Sequence, residues 1–452
     1  MTVKAFDLIV IGVGMAGLNA AKKCASEGWS VAVVDELPYG GTCVLRGCDP
    51  KKMLRRGAEI IDAARLMRGK GIEDDGLKIK WADLVAFKNT FTSKMPGRIE
   101  GGLDDSGVKT LHGAVLFVDS NALEVNGERL EAGHILIATG AIPRPLDIPG
   151  AEHLTNSTEF MELEELPKRI LFVGGGYVSF EFAHIAARAG SEVHIIDRGE
   201  RPLGAFDPDL VDRLVERSRA AGIDVHPKTE LTWIEQASGG YRVTAKAGKQ
   251  DQHWDVDLVV HGAGRVPALD SLDLDKAGVA ASWRGVTVNE YMQSISNPAV
   301  YAAGDAAETP GTPLTPVAVF EGKVAAANML KGNHSTPDYT GVPSVVFTIP
   351  ELARVGLLEA EAKDQGLDVR VAFNDTGGWY SNMRVGEDCA ATKVLIDKRA
   401  DKIVGAHLLG PEYSEIINFF GLAMKLGLKA SELRSMVSAY PSVTSDLGSM
   451  LS

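Results

Sequence analysis

The sequence predicts an α/β protein in which two similar strand–turn–helix–strand units precede a C-terminal α+β domain. A strand closing on clustered glycines and opening into a helix occurs at Gly12-x-Gly14-x-x-Gly17 and again at Gly174-Gly175-Gly176. Each cluster is followed 23 positions later by an acid ending a second strand, Asp35 in the first copy and Asp197 in the second. From Tyr339 onward the pattern changes to alternating Val/Ile/Thr strands and two helical stretches, with no third glycine cluster. Strand, glycine turn, helix, strand and terminal acid together make the Rossmann-like dinucleotide fingerprint, which a lone glycine triplet does not.

A chain of 452 residues exceeds one ordinary core and predicts two to four domains, and 45% apolar content is enough to pack them. The net charge of −13 argues against binding a nucleic-acid phosphate backbone as the main task. Met1-Thr2-Val3 leads straight into an apolar strand without a cleavable signal pattern, and no apolar run is long enough for a bilayer. Cytoplasmic placement and no membrane partner are expected.

In the first unit, Leu8-Ile9-Val10-Ile11 reads as a buried strand. Gly12 makes the tight turn, Gly14 admits a pyrophosphate, Gly17 lets helix pack on strand, and Asp35 comes within reach of a ribose. Cys24, in the helix, reads as core. Then comes Gly40-Gly41-Thr42-Cys43-Val44-Leu45-Arg46-Gly47-Cys48-Asp49-Pro50-Lys51-Lys52, with two cysteines five positions apart. Pro50 suits a helix's first turn, so Cys48 is expected near a helix N-terminus, where unpaired N–H groups and Lys51 and Lys52 favour a thiolate. The residue types also fit two buried thiols or half a zinc site; Cys24 and Cys389 are scattered and no histidine cluster accompanies the pair, so no metal is expected here.

Residues 53–110 carry helical amphipathic runs without a chemical motif, and strands resume near Ala114–Val118. Ile135-Leu136-Ile137-Ala138-Thr139-Gly140 closes an apolar strand on Thr-Gly, and Pro143, Pro145 and Pro149 stiffen the exit. The second fingerprint follows with its third glycine replaced by Ser179. Boundaries are expected at 1–150 and 265–338 for the first domain, 151–264 for the inserted second, and 339–452 for the last.

GGTCVLRGCDPKK resembles the GGTCxxxGCxPxK signature of the flavoprotein (pyridine nucleotide) disulfide oxidoreductases, which include glutathione reductase, dihydrolipoamide dehydrogenase and mercuric reductase. The resemblance continues in order through Ala138-Thr139-Gly140, Gly262-Ala263-Gly264-Arg265-Val266-Pro267, Tyr301-Ala302-Ala303-Gly304-Asp305 and Leu314-Thr315-Pro316-Val317-Ala318. It implies that the first unit holds FAD through Gly12, Gly14, Gly17, Asp35, Gly41, Thr42, Ala114, Thr139, Gly140, Asp305 and Ala318. The second would hold NADH or NADPH through Gly174, Gly176, Tyr177, Asp197, Arg198 and Gly264. It also implies that nicotinamide reduces the flavin and the flavin reduces the Cys43–Cys48 disulfide, with Cys48 as the flavin-side thiolate and Cys43 as the thiol that attacks a small-molecule disulfide. Lys52 and Glu181 match a family ion pair, Tyr177 the tyrosine that covers the flavin, and Val342-Pro343-Ser344 the start of the dimerisation domain, implying a homodimer whose active site is completed by the partner.

The chain departs from the family at Tyr440-Pro441, where glutathione and lipoamide enzymes have His-Pro, and Ser445 stands at the paired glutamate's position with Asp446 beside it. Tyr440 is therefore expected to donate a proton or orient substrate rather than act as a base. Met15 and Lys22 replace the Ser and Arg of glutathione reductases, predicting poor use of glutathione disulfide. A mercuric reductase-like activity is the alternative, weakened by a C-terminus ending Gly448-Ser449-Met450-Leu451-Ser452 without paired cysteines. A flavin-dependent redox sensor or docking subunit is the non-enzymatic alternative. Asp197 favours NADH, whereas Arg198, with Arg201 nearby and Gly204 where relatives have a second arginine, pulls toward NADPH.

Overall fold

Strands that read as unbroken apolar runs are those that parallel sheets bury on both faces. Leu8, Ile9, Val10 and Ile11 are all buried at the end of the strand Lys4–Ile11 in the computed structural model, which describes residues 4–452. Met1, Thr2 and Val3, read above as the approach to this strand, lie outside the described residues.

The chain divides into two compact units, one of residues 1–52, 86–144 and 265–339, the other of residues 53–85, 145–264 and 340–452. In the first, Lys4–Ile11 pairs in parallel with Val31–Asp35 on one side and with Glu128–Ile137 on the other. Val300–Ala302 extends the sheet beyond Glu128–Ile137, also in parallel. The opposite edge is Lys109–His112, a strand ahead of the expected Ala114–Val118 region. Its Lys-Thr-Leu-His sequence lacks apolar alternation, and pairing with Val31–Asp35 makes it a strand. The segments leaving and re-entering this unit, Ala141–Pro143 and Arg265–Pro267, form an antiparallel ribbon.

The second unit repeats the motif in a parallel sheet ordered Ile223–His226, Glu192–Ile196, Arg169–Val173, Leu258–His261, Leu154–Thr155. A three-stranded antiparallel meander, Thr229–Ala237, Gly240–Ala247 and Gln250–Val256, packs Ile234, Val243 and Ala245 against Leu171, Ile196 and Val259 of that sheet. The C-terminal part is a five-stranded antiparallel sheet with the helix Tyr413–Leu426 laid on it, matching the predicted α+β domain. One core joins this part to the repeat: Val346, Ile349 and Leu352 share it with Phe172, Phe180 and Ile195. Residues 53–85 belong here too, through Leu54, Trp81 and the buried pair of Arg188 Nη2 with Asp62 Oδ1 at 2.7 Å. No helix among the described residues is long and apolar enough to cross a membrane.

Candidate active site and nucleotide cradles

The reactive segment begins with close backbone contact. Gly41 has φ 65°, and a Cβ there comes within 2.6 Å of the Gly14 Cα, so only glycine lets the segment lie against the fingerprint turn. Thr42–Arg46 then form one turn of π-helix containing Cys43, and Cys48 opens the helix Cys48–Leu66, as the position of Pro50 predicted. The first backbone bond of that helix runs from Lys51 N–H to Gly47 O at 3.1 Å, leaving the amides before it free to stabilise negative charge.

Cys43 and Cys48 are both free thiols here, Cys48 exposed and Cys43 half-buried. Cys43 S–H donates to Cys48, which pulls the Cys48 thiol down to about 6 against the resistance of burial, with help from Thr315, Lys51 and Lys52. The same bond, followed by burial, pushes Cys43 far up. The pair therefore holds one proton on Cys43 and a thiolate on Cys48. Thr315, whose Oγ1 lies 3.7 Å from Cys48 Sγ, is the first residue of the helix Thr315–Lys331. The motif comparison reached this helix entry without singling Thr315 out, because nothing in sequence links it to a cysteine 267 positions away.

In the same unit Gly12, at φ 94°, turns the chain from strand to helix, and Asp35 fastens the turn by accepting from Val13 N–H at 2.7 Å and Leu37 N–H at 2.9 Å. Both carboxylate oxygens keep lone pairs for ribose hydroxyls. Gly17 lies in the first turns of the helix Met15–Ser26. Thr139 and Gly140 follow the central strand, and Thr139 Oγ1 is buried with no hydrogen-bond partner among the described residues. Ala114 is exposed just after Lys109–His112. Asp305 lies in the turn Gly304–Ala306; burial raises its carboxyl, and Arg265 opposes that rise. Ala318 occupies the first turn of Thr315–Lys331. Sequence reading missed Glu321, which is buried and holds this loop: it accepts from Gly304 N–H at 2.8 Å and from the Thr309 and Tyr339 hydroxyls at 2.7 Å each. A buried acid one helical turn past Ala318 was the only available signal.

In the second unit Gly174 repeats the turn at φ 99°, Gly176 caps the helix Tyr177–Ala189, and Asp197 ends Glu192–Ile196. Gly264, at φ 103°, closes the far strand, Tyr177 is half exposed, and Arg198 is exposed. Arg201, the nearby substitute for a second phosphate-binding arginine, is held by Asp212 at 2.8 Å. Glu181 is buried and accepts from Phe347 N–H at 3.0 Å. Tyr440 is 79% exposed beside Pro441. Asp446, adjacent to the missing glutamate's position, accepts from the Ser381 hydroxyl.

Two glycine cradles and a polarised dithiol define a nucleotide-dependent dithiol oxidoreductase. The chain belongs to the pyridine nucleotide-disulphide oxidoreductase family, whose model matches residues 6–322, with the family's dimerisation domain matching residues 342–451. It is 32% identical to a glutathione reductase of Nostoc sp., over 98% of this chain and 99% of that one. It is 30% identical to a dihydrolipoyl dehydrogenase of Bacillus subtilis, over 97% and 94%, and 31% identical to a mercuric reductase of Bacillus cereus, over 96% and 69%. Among solved structures it superposes on the HOCl-induced flavoprotein disulfide reductase RclA from Escherichia coli with a TM-score of 0.88 at 26% identity, covering 98% of this chain and 99% of that one. The protein is thus an FAD-dependent NAD(P)H:disulfide oxidoreductase. The residues present fit such cofactors: Gly41 packed against Gly14 presents bare backbone of the kind a pyrophosphate needs, and the orphaned Thr139 hydroxyl and the buried Asp305 carboxyl are polar groups that a bound cofactor would satisfy.

Proposed function

We propose that the protein reduces a low-molecular-weight disulfide, with Cys43 as the attacking sulfur and Cys48 as the resolving one. The observation that carries the assignment is the place of Cys48, which opens the helix Cys48–Leu66 beside Thr315 Oγ1, so that a thiolate is held there as the resolving sulfur while Cys43 meets the substrate. FAD held in the first unit would supply the two-electron relay from nicotinamide that reduces the Cys43–Cys48 disulfide. Cys43 attacks the substrate disulfide as its proton passes to the departing sulfur, forming a mixed disulfide and releasing one substrate thiol. The Cys48 thiolate then attacks Cys43 Sγ, closing the internal disulfide and releasing the second substrate thiolate, which takes up a proton. Thr315 and the helix start hold Cys48 ready, with Lys52 in the same helical turn adding positive charge. Buried Glu181 is assigned as a positioning residue. Tyr440, reaching the partner subunit's pair in a homodimer, protonates a leaving thiolate.

Asp197 at the strand end, with Arg201 committed to Asp212, supports NADH over NADPH. The cycling pair suits a reducing compartment such as the cytoplasm. A metal-ion reductase is the second reading, supported by the mercuric reductase relative and by a Cu(II) complex solved for RclA, which superposes on this chain with a TM-score of 0.88. Anaerobic reduction by NADH, then challenge with small disulfides, Hg(II) and Cu(II), tests the choice. Stoichiometric release of substrate thiols, lost by at least about 1,000-fold in Cys43→Ser, is expected. Turnover of metal ions alone would establish the second reading, and turnover of neither would make the protein a sensor.

A further inference from the structure

Outside both cradles, the edge of the second unit's sheet gathers two imidazoles and a carboxylate. Glu192–Ile196 and Ile223–His226 run in parallel with His194 opposite Asp224 and Ile196 opposite His226. The two-residue period of a strand puts His194, Asp224 and His226 on one face, and one donor atom from each lies within 4.8 Å of the others. His194 Nε2 is 3.2 Å from Glu192 Oε1. That contact makes Nε2 the protonated, donating nitrogen and turns the Nδ1 lone pair inward, 3.6 Å from Asp224 Oδ2. Nδ1 of His194 and Nε2 of His226 are buried without hydrogen-bond partners among the described residues. Two orphaned nitrogens on neighbouring imidazoles, whose ring centroids lie 5.7 Å apart, are a costly arrangement unless something pairs with them. Trp254 packs on both rings, 6.4 Å from His194 and 5.4 Å from His226.

We infer that His194, Asp224 and His226 bind one divalent transition-metal ion of the zinc class, with Glu192 as the carboxylate that orients His194. Nitrogen donors with a single carboxylate suit Zn(II), Co(II), Ni(II) or Cu(II) and disfavour Mg(II) and Ca(II). A histidine whose second nitrogen donates to a carboxylate is the usual metal-bound form. Bonds of about 2.0–2.1 Å require the donors to draw together by roughly 1 Å. Asp224, with its side chain 62% exposed, has the freedom to close that gap. A fourth position falls to water. The ion braces the edge strand against its neighbour, just where the Asp197 amide bonds to His226 O at 2.9 Å.

The test uses FAD-loaded enzyme stripped with EDTA and kept as the Cys43–Cys48 disulfide, so that the thiols take no metal. Zn(II) is titrated calorimetrically and Co(II) by its visible d–d bands. One ion per chain with a dissociation constant below about 100 μM is expected. His226→Gln should weaken it about 100-fold, and Asp224→Asn and Glu192→Gln about 10-fold or more, with disulfide turnover unchanged in all three. Binding weaker than about 100 μM in the wild type, or the same affinity in Asp224→Asn, overturns the assignment. Asp224 is exposed, so its variant decides the matter even if a histidine variant does not fold.

Discussion

The two nucleotide cradles are the same turn built with one glycine exchanged. In the first, Gly12 N–H bonds to Val34 O and Ala138 N–H to Ile11 O; in the second, Gly174 N–H bonds to Ile196 O and Gly262 N–H to Val173 O, all at 2.8 Å. Helix and turn meet closely in both. A Cβ on Gly17 falls 2.1 Å from Gly12 O, so the first copy makes its room on the helix. The second copy has Ser179 there and makes room at the end of the far strand, where a Cβ on Gly262 lies 2.0 Å from Ser179 Oγ. The constraint thus belongs to a pair of positions, and a relaxed third glycine signals compensation elsewhere rather than a degenerate site.

The largest effects should come from breaking each turn in the same way. Gly12→Ala and Gly174→Ala both place a side chain at strongly positive φ, with Cβ 2.4 and 2.5 Å from a carbonyl oxygen, at a cost of about 3 kcal/mol in strain alone. Gly12→Ala should yield protein without flavin absorbance. Gly174→Ala should retain flavin and reduction by dithionite but slow reduction by NADH about 100-fold or more. Identical outcomes would mean that the two cradles do not serve different nucleotides.

The helices that follow the turns differ in their second halves. Arg188, at the buried end of Tyr177–Ala189, donates to Asp62 Oδ1 from Nε at 3.0 Å and from Nη2 at 2.7 Å, whereas Ser26 ends the first helix in solvent. Arg188→Ala leaves Asp62 without its main partner and should cost about 3–5 kcal/mol in denaturant unfolding; Ser26→Ala should change it by less than about 0.5 kcal/mol. The exchanged glycine sharpens the comparison further. Gly262→Ala should destabilise by about 2 kcal/mol, and adding Ser179→Gly should restore at least about 1 kcal/mol; additive effects would refute the pairing.

The last test is a titration, and it belongs only to the copy that carries the dithiol. Cys48 falls from 9.0 to about 6 on folding, so thiolate stabilisation is complete above 9.0 and is lost as pH falls through about 6. Alkylation of the reduced enzyme should show an inflection near that value, and Cys43→Ser should move it upward by removing the main donor. An inflection unmoved by Cys43→Ser would assign the shift to the lysines and helix start instead.

The cradles and the dithiol were legible because their logic is local: glycines, strand ends and cysteines stand within a few tens of residues of one another. Glu321, Thr315 and Asp62 were not, since each acts on a residue brought to it by the fold. The His194–His226 cluster is hidden for the same reason, because parallel pairing joins strands separated by the whole helix Pro208–Ala220. Lys109–His112 escaped notice as a strand because edge pairing, not an apolar pattern, holds it. The C-terminal domain was legible as a class, while the two helical stretches expected there become the long helix Tyr413–Leu426 and four short ones, Glu359–Asp364, Tyr380–Met383, Ala430–Arg434 and Leu447–Met450.

The first unit's sheet includes Val300–Ala302 beside Glu128–Ile137, although the complete parallel sheet of the second repeat is encoded between them. During synthesis the chain must therefore deliver the inserted repeat before the last strand, Asp305 and Thr315 arrive to complete the first unit. Closing so long a loop makes this a high-contact-order step, slow beside the local pairing of Arg169–Val173 with Glu192–Ile196. The parallel sheet of the second repeat can pair on the ribosome while the first unit's sheet waits for Val300–Ala302, and the core beneath the repeat's sheet closes last, when Val346, Ile349 and Leu352 follow.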